Sequence, residues 1–244
     1  MYFKHFSKFL CVLLAAGCVL NVSGCGKKAD SGSATGSAVE SAKEENANTS
    51  LFIKAYLDTM CKQDFQSFAD ATGSSASDIQ NSYSSNLASI LSEYVTYEIG
   101  SGIETALTEE LSTILGKCQY TVQDPIANED GTVTVPVSIK PLVIFKKAIA
   151  YGNKESNKWT KKHKDDFDEE EATNKFFMAV IDSCDKQLQD PTYKEETVVN
   201  VTMTPSEDDE DVYEYNSEDL GKLLSTLVDL DAWADEVDDE DEES

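Results

Sequence analysis

The side chain whose setting most directly implies covalent chemistry is the thiol of Cys25. It ends the run Val22-Ser23-Gly24-Cys25, behind a positive start at Lys4 and Lys8 and an apolar stretch from Phe9 to Leu20. Small residues before the thiol let an extended backbone enter a peptidase, and the thiol itself supplies the nucleophile to which an alkyl or acyl group can be attached. The apolar stretch, about a dozen residues, falls short of the roughly 20 that a membrane-spanning helix needs. With its basic start and small-residue end it reads as an export signal and not as a transmembrane anchor.

Val22 to Cys25 resembles the bacterial lipobox, in which the cysteine receives a diacylglyceryl group and the chain is then cut in front of it. The resemblance implies a leader at 1–24 and a mature chain that begins at a lipid-modified Cys25. Its location would be the extracytoplasmic face of a cell membrane. A second box, Ala15-Ala16-Gly17-Cys18, lies upstream, but Val19 and Leu20 continue the apolar run behind it, whereas Gly26, Lys27 and Lys28 follow Cys25. An ordinary secretory signal with an incidental cysteine is the remaining alternative. Two acyl chains hold a protein stably where one holds it marginally, so the diacylglyceryl group alone would suffice.

The other residues capable of chemistry are sparse. Cys11 and Cys18 leave with the leader, and Cys61, Cys118 and Cys184 remain. An odd number outside the cell fits either one bridge with a spare thiol or three buried thiols. The pairing expected is Cys61 with Cys118, a long loop closure that would contribute about 2 to 4 kcal/mol. No C-x-x-C occurs, and His163 is the sole histidine beyond the leader, so zinc or copper has little to bind. The acidic run from Asp165 to Glu171 suits a helix start, where the dipole favours carboxylates. The run from Glu207 to Asp211 offers oxygen ligands but lacks the glycine that shapes a calcium loop. No catalytic residue, metal or cofactor is therefore assigned, and no G-x-S-x-G, H-E-x-x-H, P-loop or dinucleotide fingerprint is present.

Composition narrows the partners. The formal net charge is −26, and every cation is lysine. Nucleic-acid binding needs basic surface to neutralise phosphates, and arginine is its preferred fork, so that class is excluded. Anionic headgroups would repel so acidic a surface, which leaves the lipid to make the membrane attachment.

The elements that must position these residues follow from periodicity. Residues 25–49, rich in Ser, Ala and Gly, show no apolar period and read as a flexible tether spanning about 25 to 30 Å. One domain is expected over 50–231, and an acidic tail that includes Trp233 over 232–244. Thr49 or Ser50 caps a first helix carrying Phe52, Ala55, Tyr56 and Met60. A short turn at Phe65 and Phe68 ends at Gly73. Ser77 caps a longer helix with Ile79, Tyr83, Leu87, Ile90, Leu91 and Tyr94, on which Tyr83, Tyr94 and Tyr97 could alternatively line a ligand site. Gly100 and Gly102 interrupt it, and Ile103, Leu107, Leu111, Ile114 and Leu115 form the next stripe, closed by Gly116.

The period then changes to two. Residues 118–126 form a strand, Asp130-Gly131 a turn, and Thr132 to Lys140 a second strand with Val133, Val135, Val137 and Ile139 on one face. Pro136 cannot donate to a ladder, which predicts an edge position or a bulge. A short helix over Leu142 to Tyr151 leads to a lysine-rich connector at 152–164. The next helix buries Phe176, Phe177, Val180, Ile181, Cys184 and Leu188. Thr197 to Thr204 and Val212 to Tyr215 make two more strands. Asn216 or Ser217 caps a last helix with Leu220, Leu223, Leu224, Leu227 and Val228 inward. The fold class is α+β: an antiparallel sheet of about four strands with helices on one face.

The lipobox, the small-residue tether, CKQDFQSFADATG at 61–73, GTVTVPVSIKPL at 131–142 and ETVVNVTMTP at 196–205 together resemble a family of lipoproteins from Gram-positive bacteria. That family carries a domain of unknown function. The resemblance implies a fold similar to cystatin or nuclear-transport-factor-2 domains, and it assigns no catalytic residue. The function expected is a tethered, non-enzymatic binding or interaction module for an unidentified small molecule, glycan or protein. An enzyme using buried Asp and Tyr, and a structural accessory of an envelope complex, are the alternatives.

Overall fold

The structure, a computed structural model, describes residues 38–84, 101–206 and 213–229. The leader, Cys25, the stretch holding Tyr94 and Tyr97, the run Glu207 to Asp211, and the acidic tail with Trp233 lie outside the described residues. The architecture is α+β, with a curled antiparallel sheet and a helical layer.

Helix α1 runs over Ala38–Lys62, well ahead of the start expected at Thr49 or Ser50. The stretch before Thr49 lacks an apolar stripe, which argues against burial but not against a helix. Ala, Glu and Lys propagate a helix readily once the buried half from Phe52 to Cys61 has nucleated it. Asp64 caps α2 (Phe65–Thr72), its Oδ1 accepting from Ser67 N at 3.1 Å, and Gly73 ends it at φ 68°. The next helix, α3, occupies 76–84. Its cap is Ser75 rather than Ser77, because Ser75 Oγ accepts from Asp78 N and donates to Asp78 Oδ2, a reciprocal start. Helix α4 is Ser101–Leu115, and its Leu107, Leu111, Ile114 and Leu115 are buried as the stripe predicts.

The sheet contains β1 (Gln119–Val122), β2 (Ile126–Ala127), β3 (Val133–Lys140), β6 (Thr197–Pro205) and β7 (Tyr213–Tyr215), in the order β1-β3-β6-β7 with β2 also on β3. Val133, Val135, Val137 and Ile139 face the core with Val199, Val201 and Met203, and α1 and α7 (Ser217–Leu227) pack there. Each such side chain contributes about 1.5 to 3 kcal/mol by burial. A two-stranded antiparallel ladder of β4 (Leu142–Val143) and β5 (Thr192–Tyr193) stands apart. It brackets α5 (Phe145–Lys162) and α6 (Glu169–Leu188).

Two expectations are corrected here. Pro136 sits in the central strand β3 and not at an edge. It is tolerated because the neighbouring chain carries the irregularity: Val122 pairs with Val137 and Ile126 with Thr134, so four steps on that side oppose three on β3. Pro136 lies in that gap, where its C=O accepts from Gln123 N at 2.9 Å and no donor is needed. The lysine-rich segment taken as a connector is the second half of α5, which continues to Lys162. Its lysines are good helix formers, Lys161 and Lys162 suit the C-terminal dipole, and Gly152 lets α5 approach α6 closely.

Candidate functional site

Two buried acids, neither singled out by the sequence, are the chemically distinctive groups of the domain. Asp58 occupies the inner face of α1, with Lys54 one turn before it and Lys62 one turn after. Its side chain is 6% exposed. Oδ1 accepts from Lys62 Nζ and from the Tyr120 hydroxyl, both at 2.6 Å, and Oδ2 accepts from Lys54. Lys62 Nζ also lies 5.1 Å from the centre of the Tyr120 ring. Burial pushes the Asp58 carboxyl up, but the hydrogen bonds from Lys54, Lys62 and Tyr120, with the charge of Lys62, outweigh it and hold the pKa at about 2. Burial, then donation to Asp58, pushes the Tyr120 hydroxyl far above its ordinary value.

Catalysis by a buried Asp and Tyr is the enzyme alternative raised by the sequence, and here such a pair exists. Its protonation states do not suit the task. At neutral pH Asp58 is ionised and Tyr120 keeps its proton, and neither value lies near the pH at which proton transfer is efficient. The arrangement instead ties α1 to β1.

Glu110 is the second acid. It sits on α4 three residues after Leu107 and four before Ile114, on the same stripe, and is 8% exposed. Among the described residues its Oε1 has no hydrogen-bond partner. Across the α4–α6 contact stand Cys184 and Asp185. Burial first, then the charge of Asp185 and a hydrogen bond to it, raise the Glu110 pKa to about 7. The Cys184 thiol is pushed up by burial and by both carboxylates, so it stays protonated and unreactive. Glu110 therefore keeps its proton to a higher pH than an ordinary carboxyl group does.

The remaining predicted residues are dispersed. Cys61 and Cys184 are buried and Cys118 is half-buried, and none of the three is joined in a disulfide. The expected bridge from Cys61 to Cys118 is not formed. Cys118 follows α4 after the turn at Gly116 and Lys117, and its Sγ is turned to the carbonyls of Leu227 and Ile114, at 3.8 and 3.9 Å. His163 ends α5, stacked on Trp159 at 4.4 Å, with Nδ1 3.3 Å from Asp166 Oδ2. The acids after it start α6, where Asp168 Oδ1 caps Glu171 N at 3.0 Å. Tyr83 is buried with its ring edge-on to Phe65 at 5.5 Å. Among the described residues no three His, Cys, Asp or Glu side chains converge as metal ligands. None of the described helices is long and apolar enough to cross a membrane.

The class so defined is an α+β domain of a curled antiparallel sheet under a helical layer. No protein-family model matches the sequence, and no curated protein matches it. Among solved structures the chain is similar to ycdA of Bacillus subtilis, a protein provisionally named a lipoprotein. The TM-score is 0.54 at 15% identity, over 78% of this chain and 59% of that one. This chain therefore spans well under two thirds of its neighbour's length, and at such identity the likeness establishes the fold alone.

Proposed function

We propose that this protein is an extracytoplasmic lipoprotein, held to a membrane through Cys25, whose domain binds a partner rather than transforming a substrate. One coincidence carries the reading. A lipobox-like Val22-Ser23-Gly24-Cys25 behind a basic, apolar leader stands on the same chain as a fold shared with a bacterial protein that bears a lipoprotein's name. The preference for binding rests on the buried acids, since the Asp58–Tyr120 pair is locked in its resting protonation states. A second reading, acid–base chemistry, has a single supporting observation in the raised pKa of Glu110.

The test is expression of the full chain and its Cys25→Ser variant in a Gram-positive host, with intact-mass analysis of the membrane and soluble fractions. The expected wild-type species is membrane-bound and begins at a diacylglyceryl-modified Cys25, while the variant keeps its leader or is released unacylated. An unmodified N-terminus at any other residue of the membrane-extracted protein would overturn the reading.

A further inference from the structure

Strand β6 is covered unevenly. On one side it pairs with β3 from Thr197 to Met203. On the other, β7 covers only Met203 to Pro205. The next residue back, Thr202, is closed by α7 and its cap: its N–H donates to Asp219 Oδ2 at 2.8 Å and its C=O accepts from Asn216 N at 3.0 Å. The backbone groups of Thr202 thus point away from β3, and the alternation of an antiparallel ladder turns those of Asn200 and Val198 the same way. Pro136, opposite Asn200, agrees with that phase, because its C=O is used on the far side of β3. Among the described residues nothing bonds the backbone N–H or C=O of Val198 or Asn200. Val198 is 52% exposed, and Thr197 and Asn200 are exposed beside it.

We propose that this open edge docks an extended segment of a cationic polypeptide, which joins the sheet as a further strand. Main-chain hydrogen bonds to Val198 and Asn200 would supply the register, and the Val198 side chain an apolar contact on the sheet's outer face. The charge of the site selects the partner. Glu195 and Glu196 are exposed at one end, Glu214 and Glu218 at the other beside Asp219. Lys194, the cation next to Glu195, is taken up by Asp229 Oδ1 at 2.6 Å. A second copy of the chain is disfavoured, because it brings the same acids and a formal charge of −26 to the contact. The inference deepens the binding reading and rests on it, but it does not depend on the lipid at Cys25.

The experiment is amide hydrogen exchange on the full chain in detergent micelles, titrated with a peptide of alternating valine and lysine. The same peptide N-methylated on alternate backbone nitrogens, and one of alternating valine and glutamate, are the controls. Expected are protection of the Val198 and Asn200 amides by the lysine peptide alone and weakening by salt. Val198→Pro removes an outward N–H without touching the β3 ladder and is expected to bind about tenfold more weakly, as one or two lost backbone hydrogen bonds imply. Val198→Glu, which leaves the backbone intact, is expected to weaken binding as well. The proposal falls if the lysine peptide protects neither amide, if the glutamate peptide does so equally, or if a folded Val198→Pro protein binds undiminished. Protection that grows with protein concentration alone would replace it with self-association. The mass of the N-terminus answers the lipoprotein question separately.

Discussion

Replacing Asp58 by asparagine keeps the shape of the side chain and removes its charge, so it isolates what the buried ion cluster contributes. The carboxyl moves from 3.8 to about 2 on folding. At about 1.4 kcal/mol per unit the shift corresponds to about 2.5 kcal/mol. The lysine side chains are 56% and 59% exposed and partly screened by water, which reduces the figure to about 2 kcal/mol. Because the folded-state pKa is depressed, the contribution is present in full above about pH 4 and is lost as pH falls through about 2. Asp58→Asn is therefore expected to lower the midpoint of thermal unfolding near pH 7 by about 4 to 8 °C. Urea denaturation of both proteins across the acid range should show the gap closing as wild-type Asp58 takes up its proton. Other carboxylates titrate there too, but they are common to both proteins and cancel in the difference. A variant as stable as wild type at neutral pH, or a gap that persists unchanged in acid, would refute the reasoning.

Three further outcomes follow from the geometry. Glu110 has a raised pKa, so the folded state keeps a proton that the unfolded chain releases, and stability falls as pH rises from about 4.5 to about 7. Glu110→Gln should abolish that slope, gaining about 3 kcal/mol over wild type above the upper limit, read by chemical denaturation at several pH values. A Cβ on Gly152 would lie 2.7 Å from Val180 Cγ2 and 2.9 Å from the Phe176 ring, so Gly152→Ala should cost about 1 to 3 kcal/mol in thermal unfolding by forcing α5 from α6. Because Cys61, Cys118 and Cys184 form no disulfide, alkylation in denaturant without reductant should modify all of them by mass.

What was legible in the sequence was whatever depends on period and on single turn residues. Alternation along β3 identified the buried valines, Gly131 at φ 85° makes the predicted turn, and Asn216 caps α7 with its Oδ1 on Glu218 N. What was not legible depends on neighbours distant in the chain. The place of Pro136 is decided by an extra residue between Val122 and Ile126, which its own strand does not encode. Helix α1 reaches back to Ala38 because propagation needs no apolar stripe. The buried acids did leave a signal. Lys54, Asp58 and Lys62 stand at successive turns with the acid on the core side, and Glu110 interrupts the stripe of Leu107 and Ile114. A search confined to catalytic motifs passes over both.

The acidity and the open edge are best understood together. A sheet with bare backbone groups invites pairing with other chains, and this one covers part of the outer side of β6 by distinct means. One margin is broken by Pro125 and the extra residue beside Pro136, and the other is covered by β7 and then by the Asp219 carboxylate on Thr202 N. On β6, among the described residues, the backbone groups of Val198 and Asn200 are left bare. There the deterrent is charge, since Glu195 and Glu196 meet any copy of the same chain with like sign. Charge deters selectively, however. The repulsion that keeps copies of this protein apart becomes attraction for an extended lysine- or arginine-bearing segment, so a single device serves both to prevent aggregation and to choose a ligand. Adding salt should therefore weaken peptide docking while making self-association easier, and opposite salt dependences measured on one preparation would separate this account from simple hydrophobic adhesion at Val198.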